Sequence, residues 1–159
     1  LIGLRGCSKG KNSIVPEIVV RRLKKADADE IRRIDAAITK SPSNLDLERM
    51  IKEELKKADD ASFVAEIEGK VVGYMITYIT SGNFGTDQCA WIARFGVVPK
   101  RMGQRIGKSM AKEVFRFYKA KGIRTVYTSV KWNSTDLLSF FKTLGFDRSD
   151  FVNLQKNLE

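Results

Sequence analysis

The chain has 159 residues, 43% hydrophobic and 30% charged, with a formal net charge of +10. That length suits one domain with its own core, and no apolar run approaches the roughly 20 residues of a membrane span. Two cysteines, Cys7 and Cys89, and no histidine exclude Cys/His zinc motifs and any Ser-His or Cys-His nucleophile pair. The cysteines read as free thiols of a reducing cytoplasm rather than as a disulfide. No metal is expected.

Residues 1–16 lack the long apolar core of a signal peptide and an initiator Met. They are expected to be a tail or an added strand at a trimmed or offset start, with residues 17–159 forming a single domain. EIVVRRLKKAD is β-branched and partly alternating, which predicts a short strand, with Asp27 capping the helix that follows. Ala28 to Ile38 places Ile31, Ile34 and Ile38 on one helical face. After the loop TKSPSN, Leu45 to Lys57 predicts a second helix with Leu47, Met50, Ile51 and Leu55 inward. Ser62–Ile67 and Val71–Thr80 read as a hairpin turned at Glu68-Gly69-Lys70. SGNFGTDQ is a loop of turn formers. CAWIARFGVV is the next strand, stopped by Pro99. Gln104 to Lys121 carries Ile106, Met110, Val114, Phe117 and Tyr118 at helical spacing, and Gly122 ends it. RTVYTSVKW predicts a strand, and Asn133 is read as the cap of a helix over Ser134 to Leu144. FDRSDFVNLQKNL predicts a last strand. The order is β-α-α-β-β-β-α-β-α-β, an α/β chain without repeats or linkers.

The charge is unevenly placed. From Pro99 to Arg124, nine lysines and arginines stand against one acid, Glu113. A solvated helix face and an electrostatic footprint for a phosphorylated ligand or nucleic acid both fit that run. The turn inside it is more specific. A strand ends at Val97-Val98-Pro99, a glycine-containing turn follows, and a long helix begins. Such a turn points backbone N–H groups and the positive end of the helix at one spot. Glycines let a backbone approach a ligand closely, and Lys100, Arg101, Arg105 and Lys108 add full charges. The prediction is a phosphate or pyrophosphate cradle. It is not a P-loop, because Gly103 to Gly107 is one residue short before Lys108-Ser109. Nor is it a dinucleotide fingerprint, which needs three glycines near the first strand and an acid about 20 residues on.

Val97-Val98-Pro99 followed by Gly103, Ile106 and Gly107 resembles the cofactor motif of the GNAT superfamily of acyl-CoA-dependent N-acyltransferases. Asn133, Phe141 and Leu144-Gly145-Phe146 resemble its second motif, and the element order matches from about residue 17 on. The resemblance implies a mixed central β-sheet with helices on both faces and acetyl-CoA, or another acyl-CoA, as cosubstrate. The backbone of Phe95, Gly96 and Val97 would pair with the pantetheine arm. The amides from Met102 through Gly103, Gln104, Arg105, Ile106 and Gly107 would hold the pyrophosphate. Lys100, Arg101 and Lys108 are candidates for the 3′-phosphate, and Asn133 would touch the pantetheine, hold the strand split open or cap its helix. Two residues depart from the family pattern. Met102 stands where Arg or Gln is usual, and Arg105 where Gly is usual. A Cβ at position 105 narrows the permitted backbone.

The implied chemistry is attack of an amine on an acyl thioester, which needs a proton taken from the amine and one given to the thiolate. Family members often supply the acid as a tyrosine four residues before the Gly of LGF; here that residue is Phe141. They often supply a glutamate base on the Val-x-Pro strand. Unbroken alternation puts Trp91, Ala93, Phe95 and Val97 on the relevant face and Arg94 on the other, and none of the four is acidic. Tyr127 and Ser129 are the nearest substitutes, and Tyr74, Tyr78 and Asp87 are weaker ones. For each of these, packing or solvation is the plain alternative.

The leading expectation is an N-acetyltransferase acting on a protein lysine or N-terminus or on a small amine. A CoA-binding regulatory module without turnover is a rival. So is a basic nucleic-acid- or ribosome-associated binder, which the core spacing of the aromatics disfavours. No membrane partner is expected, and a homodimer is compatible with the sequence.

Overall fold

The computed structural model describes residues 16–41, 46–56, 61–81 and 87–158. The predicted N-terminal tail or strand, up to residue 15, lies outside the described residues, as do parts of the two loops before Asp46 and before Asp87. The elements are β1 (Val19–Arg22), α1 (Ala28–Thr39), α2 (Leu47–Leu55), β2 (Phe63–Ile67), β3 (Lys70–Ser81), β4 (Gln88–Val97), α3 (Ile106–Ala120), β5 (Val126–Thr128) and α4 (Thr135–Thr143). They form a mixed sheet in the order β1-β2-β3-β4-β5. Neighbours are antiparallel except β4 and β5, which are parallel. This is the predicted α/β architecture with helices on both faces of a mixed sheet.

Two cores follow from the strand alternation. One face of β2 to β4 buries Phe63, Ala65, Met75, Ala90, Ile92 and Val97 against Ile106, Met110, Val114 and Tyr118 of α3, with Phe141 of α4. The other buries Val64, Tyr74 and Ile76 against Ile31 and Ile34 of α1 and Ile51 of α2. Each fully buried side chain of this size contributes about 1.5–3 kcal/mol. The β2–β3 hairpin turns at Glu68 and Gly69, both at positive φ (52° and 74°), the conformation of a tight two-residue turn.

Polar groups lock the layers together. Tyr118 OH accepts from the Ala61 amide at 3.1 Å and lies 2.6 Å from Thr77 Oγ1, which itself donates to Ala61 O at 2.8 Å. Every member is buried, so each bond also removes the penalty of an unpaired polar group. At the other end, Arg21 of β1 donates to both carboxylate oxygens of Asp27 at 2.8 Å and to Glu66 of β2 at 2.7 Å. Asp27 precedes α1 as predicted, but its side chain does not cap that helix. Its carboxylate accepts from the Lys24 amide at 2.8 Å, closing the 3₁₀ turn Lys25–Asp27.

Two further sequence expectations fail here. FDRSDFVNLQKNL forms no strand among the described residues. The edge strand β5 is 3 residues long and presents too little ladder to pair with, so Val152 (72% exposed) and Leu154 (93%) stand in solvent. Asn133 does not cap α4. Ser134 occupies the N-cap position, without a side-chain bond, because the chain reaches α4 through a turn in which the Ser134 amide donates to Lys131 O at 2.9 Å.

Candidate functional site

Strand β4 is interrupted where the site begins. Met75 pairs with Phe95 and Ile76 with Arg94, but Thr77 pairs with Ile92, so Ala93 has no partner. One extra residue in a strand is a β-bulge, which bends the strand and resets its alternation. The expectation that Trp91, Ala93, Phe95 and Val97 share a face is therefore corrected. Phe95 and Val97 face α3. Trp91, opposite Tyr78, shares the α1 face with Arg94, opposite Ile76.

Beside the bulge the sheet opens. Strands β4 and β5 pair through Ala90–Val126, Trp91–Tyr127 and Ile92–Thr128 and no further. Past that point a cleft of about 230 Å³ lies between them, lined by Ala93, Arg94, Phe95, Ser129, Val130 and Phe141 among others. A wider groove of about 990 Å³ lies on the outer side of β5, lined by Tyr127, Trp132, Phe151 and Asn153 among others. Its size reflects the C-terminal segment lying off the sheet.

The turn after β4 meets the start of α3. Pro99–Arg101 is a 3₁₀ turn, Gly103 has φ 80° and Arg105 has φ 65°. Arg105 therefore holds the left-handed conformation that a glycine would hold without strain, at a cost of about 1–2 kcal/mol. The amides of Ile106, Gly107 and Lys108 have no preceding helical turn to accept from them. Ser109 is the first to donate back, to Arg105 O at 3.0 Å. The Met102 and Gln104 amides are turned inward, to Pro99 O at 3.3 Å and Arg101 O at 3.4 Å. Lys100, Arg105 and Lys108 are exposed around them, and Arg101 is half-buried.

The two glycines of this turn serve different ends. A Cβ on Gly103 would meet nothing within 4 Å, whereas one on Gly107 would lie 2.8 Å from Phe140 Cζ and 2.9 Å from Phe95 Cζ. Gly107 thus lets the helix start sit on stacked rings, Phe95 and Phe140 being 4.7 Å apart and nearly parallel. Phe141 is buried among Phe95, Phe140 and Phe146, which gives it a packing role.

A polar triad borders the cleft on the α1 side. Tyr74 OH donates to Asp35 Oδ1 at 3.3 Å, and Arg94 Nη1 stands 3.9 Å from the same oxygen. Burial, then the charge of Asp35 and its hydrogen bond, push the Tyr74 phenol well above its ordinary pKa, against a smaller opposing effect of Arg94. The phenol stays a donor at all ordinary pH. Gly96 makes the arrangement sterically possible, since a Cβ there would lie 2.7 Å from Tyr74 Cε1.

Sequence reasoning ranked Tyr74 low, placed Arg94 opposite Phe95 and Val97 as found without giving it a role, and passed over Asp35. The signal was present, because Asp35 falls on the stripe of Ile31 and Ile38, four and three residues away. Of the favoured candidates, Ser129 lines the cleft and accepts from Asn153 Nδ2 at 3.1 Å. Tyr127 stacks on Trp91 at 5.2 Å and borders the outer groove. Tyr78 stacks on the opposite side of Trp91 at 6.5 Å. Asp87 is exposed next to the start of β4, and Asn133 is exposed in the turn before α4. Among the described residues no group of acids, cysteines or histidines could hold a metal ion, and no described helix is long and apolar enough to cross a membrane. The Cys89 thiol is buried, 3.0 Å from Thr80 Oγ1; Cys7 lies outside the described residues.

Comparison with known proteins places this geometry. An N-alpha-acetyltransferase of Sulfurisphaera tokodaii is 27% identical over 139 residues, covering 82% of this chain and 80% of that protein. A mycothiol acetyltransferase of Amycolatopsis mediterranei is 27% identical over 95 residues, 58% of this chain but 32% of that protein. The chain thus spans only about a third of that relative. Among solved structures, an aminoglycoside acetyltransferase from an uncultured soil metagenomic sample superposes with a TM-score of 0.73 at 24% identity, over 89% of this chain and 97% of that one. The model of the acetyltransferase (GNAT) family matches residues 28–146, which takes in α1, the bulged strand, the turn and the LGF segment, and the chain belongs to that family.

Proposed function

We propose that the chain is an N-acetyltransferase that moves an acetyl group from acetyl-CoA to an amine. The observation that carries this reading is the parting of β4 from β5 directly before a helix whose first amides have no partner among the described residues. The residues present suit acetyl-CoA. The cleft offers a small slot beside strand backbone, lined by both apolar and polar side chains. The start of α3 offers the amides of Ile106, Gly107 and Lys108 with Lys100, Arg105 and Lys108 around them, a donor set matched to phosphate oxygens. When bound, the cosubstrate supplies an activated acyl group. The chain's own residues orient the acceptor and exclude water from the slot, and holding two reactants together accounts for much of such a rate.

Acetyl-CoA should raise the melting temperature by mass action, and thiol should be released only when an amine is added. No shift with acetyl-CoA or longer acyl-CoAs would sink the reading. The rival of a CoA-binding module is favoured by Phe141, a ring that cannot donate a proton where relatives often carry a tyrosine. A shift without thiol release across lysine peptides, N-terminal peptides and small amines would select it. The names N-alpha-acetyltransferase, mycothiol acetyltransferase and aminoglycoside acetyltransferase speak of those proteins; here the class is an amine.

A further inference from the structure

We propose that Asp35 is the group that takes the proton from the acceptor nitrogen, with Tyr74 and Arg94 as the residues that position it. The inference rests on the acetyl transfer proposed above and names the base which that reading leaves open.

Four observations converge on it. Asp35 follows the buried Ile31 and Ile34 on the apolar face of α1, with its side chain 14% exposed. Burying a carboxylate there costs free energy that packing alone does not return. It lines the cleft, and it is the acid among the residues that do so. Its two contacts, from Tyr74 and Arg94, both reach Oδ1, so Oδ2 has no hydrogen-bond partner among the described residues. Finally, two backbone features assemble the triad. Alternation back from Val97 puts Arg94 on the α1 face opposite Ile76, and Gly96 clears the space for the Tyr74 ring.

The chemistry fits the arrangement. As the nitrogen commits its lone pair to the carbonyl carbon, its proton becomes far more acidic, and a nearby carboxylate can accept it. The N–C bond forms, the C–S bond breaks, the nitrogen's proton passes to Asp35 and on to solvent, and the departing sulfur takes a proton from solvent. The sum is amide plus thiol. Arg94 keeps a positive charge beside the carboxylate, which disfavours an acceptor that arrives as ammonium and favours the neutral amine that can attack. The ionisable groups facing Asp35 are Tyr74 from β3 and Arg94 from β4. The α2 residues on that side of the sheet, Met50 and Ile51, are apolar.

The test compares wild type, Asp35→Asn, Asp35→Ala and Tyr74→Phe, using thiol release from acetyl-CoA with an alanine-initiated tetrapeptide, a lysine peptide and cadaverine. Each variant is also scored for its melting shift with acetyl-CoA. Expected is a fall in kcat of roughly 10²–10⁴-fold in both Asp35 variants with the acetyl-CoA shift kept, and a smaller fall in Tyr74→Phe. Added formate should restore part of the rate to Asp35→Ala, since a small carboxylate can occupy the vacated space. Asp29→Asn, exposed on the same helix, should match wild type. Asp35→Asn with wild-type kcat overturns the inference, as does loss of the acetyl-CoA shift in both Asp35 variants or an Asp35→Ala that formate leaves inert. Failure of the acyltransferase reading shows elsewhere, as a wild type that binds no acyl-CoA or turns over no amine, and it takes this inference with it.

Discussion

Strand β3 runs for 12 residues between two antiparallel neighbours, whereas β5 runs for 3 beside one parallel neighbour. The first half of the sheet is held by long ladders with a buried core on each face. The second half is held by rings, with Trp91 on Tyr127, Tyr127 against Phe151, and Phe141 against Phe146. Backbone ladders fix register; side-chain stacking tolerates separation. The cleft lies where one regime gives way to the other.

Substitutions should therefore cost most on the ladder side. Met110, fully buried against β3, is the largest expected effect: Met110→Ala should lower unfolding free energy by about 2–5 kcal/mol in a denaturant titration. Next comes Asp27→Asn, about 3 kcal/mol, because it leaves Arg21 half-buried with one carboxylate fewer. This effect is pH-dependent. Burial would raise the Asp27 pKa, but hydrogen bonds from Arg21 and the Lys24 amide outweigh it and hold it below the ordinary 3.8. A depressed pKa contributes stability that is fully present above the unfolded value and lost as pH falls through the folded one. The gap between wild type and Asp27→Asn should therefore be constant at neutral pH and close below about pH 4.

Tyr118→Phe should cost about 1–3 kcal/mol, because the Ala61 amide loses its acceptor and Thr77 its neighbour in a dry site. Arg105→Gly should go the other way, stabilising by up to about 1 kcal/mol through release of left-handed strain, partly offset by the greater freedom of glycine in the unfolded chain. A measured loss would show that the Arg105 side chain holds the turn. Smallest is Leu154→Ala, within about 0.5 kcal/mol. A cost above 1 kcal/mol there would mean that the C-terminal segment is packed in solution, and the contrast between the halves would weaken.

The periodic elements were legible in the sequence because burial and spacing coincide there. Ile106, Met110, Val114 and Tyr118 recur at helical intervals and are all buried. The last strand was not, because alternation in FVNLQKNL reports that a segment could pair and says nothing of whether an edge long enough exists. The bulge was invisible for a related reason. In CAWIARFGVV both faces of the strand are largely apolar, so a one-residue change of phase leaves no mark. Asp35 was legible as an acid on an isoleucine stripe. Its meaning was not, because Tyr74 is 39 residues away and Arg94 is brought beside them by the pairing of β4 with β3. The turn motif marked where β4 ends and α3 begins, yet the contacts of Gly107 depend on Phe95 and Phe140, which no local pattern supplies.

Ala93 has one more consequence. Removing an unpaired residue from a ladder does not invert the residues beyond it. With Ala93 deleted, Ile92 would still oppose Thr77 and Arg94 would still oppose Ile76, so each side chain would keep its side of the sheet. What would go is the bend. The bend beside the parting of β4 from β5 is thus carried by one residue, whose removal would leave the pairing of β3 with β4 on either side of it in register.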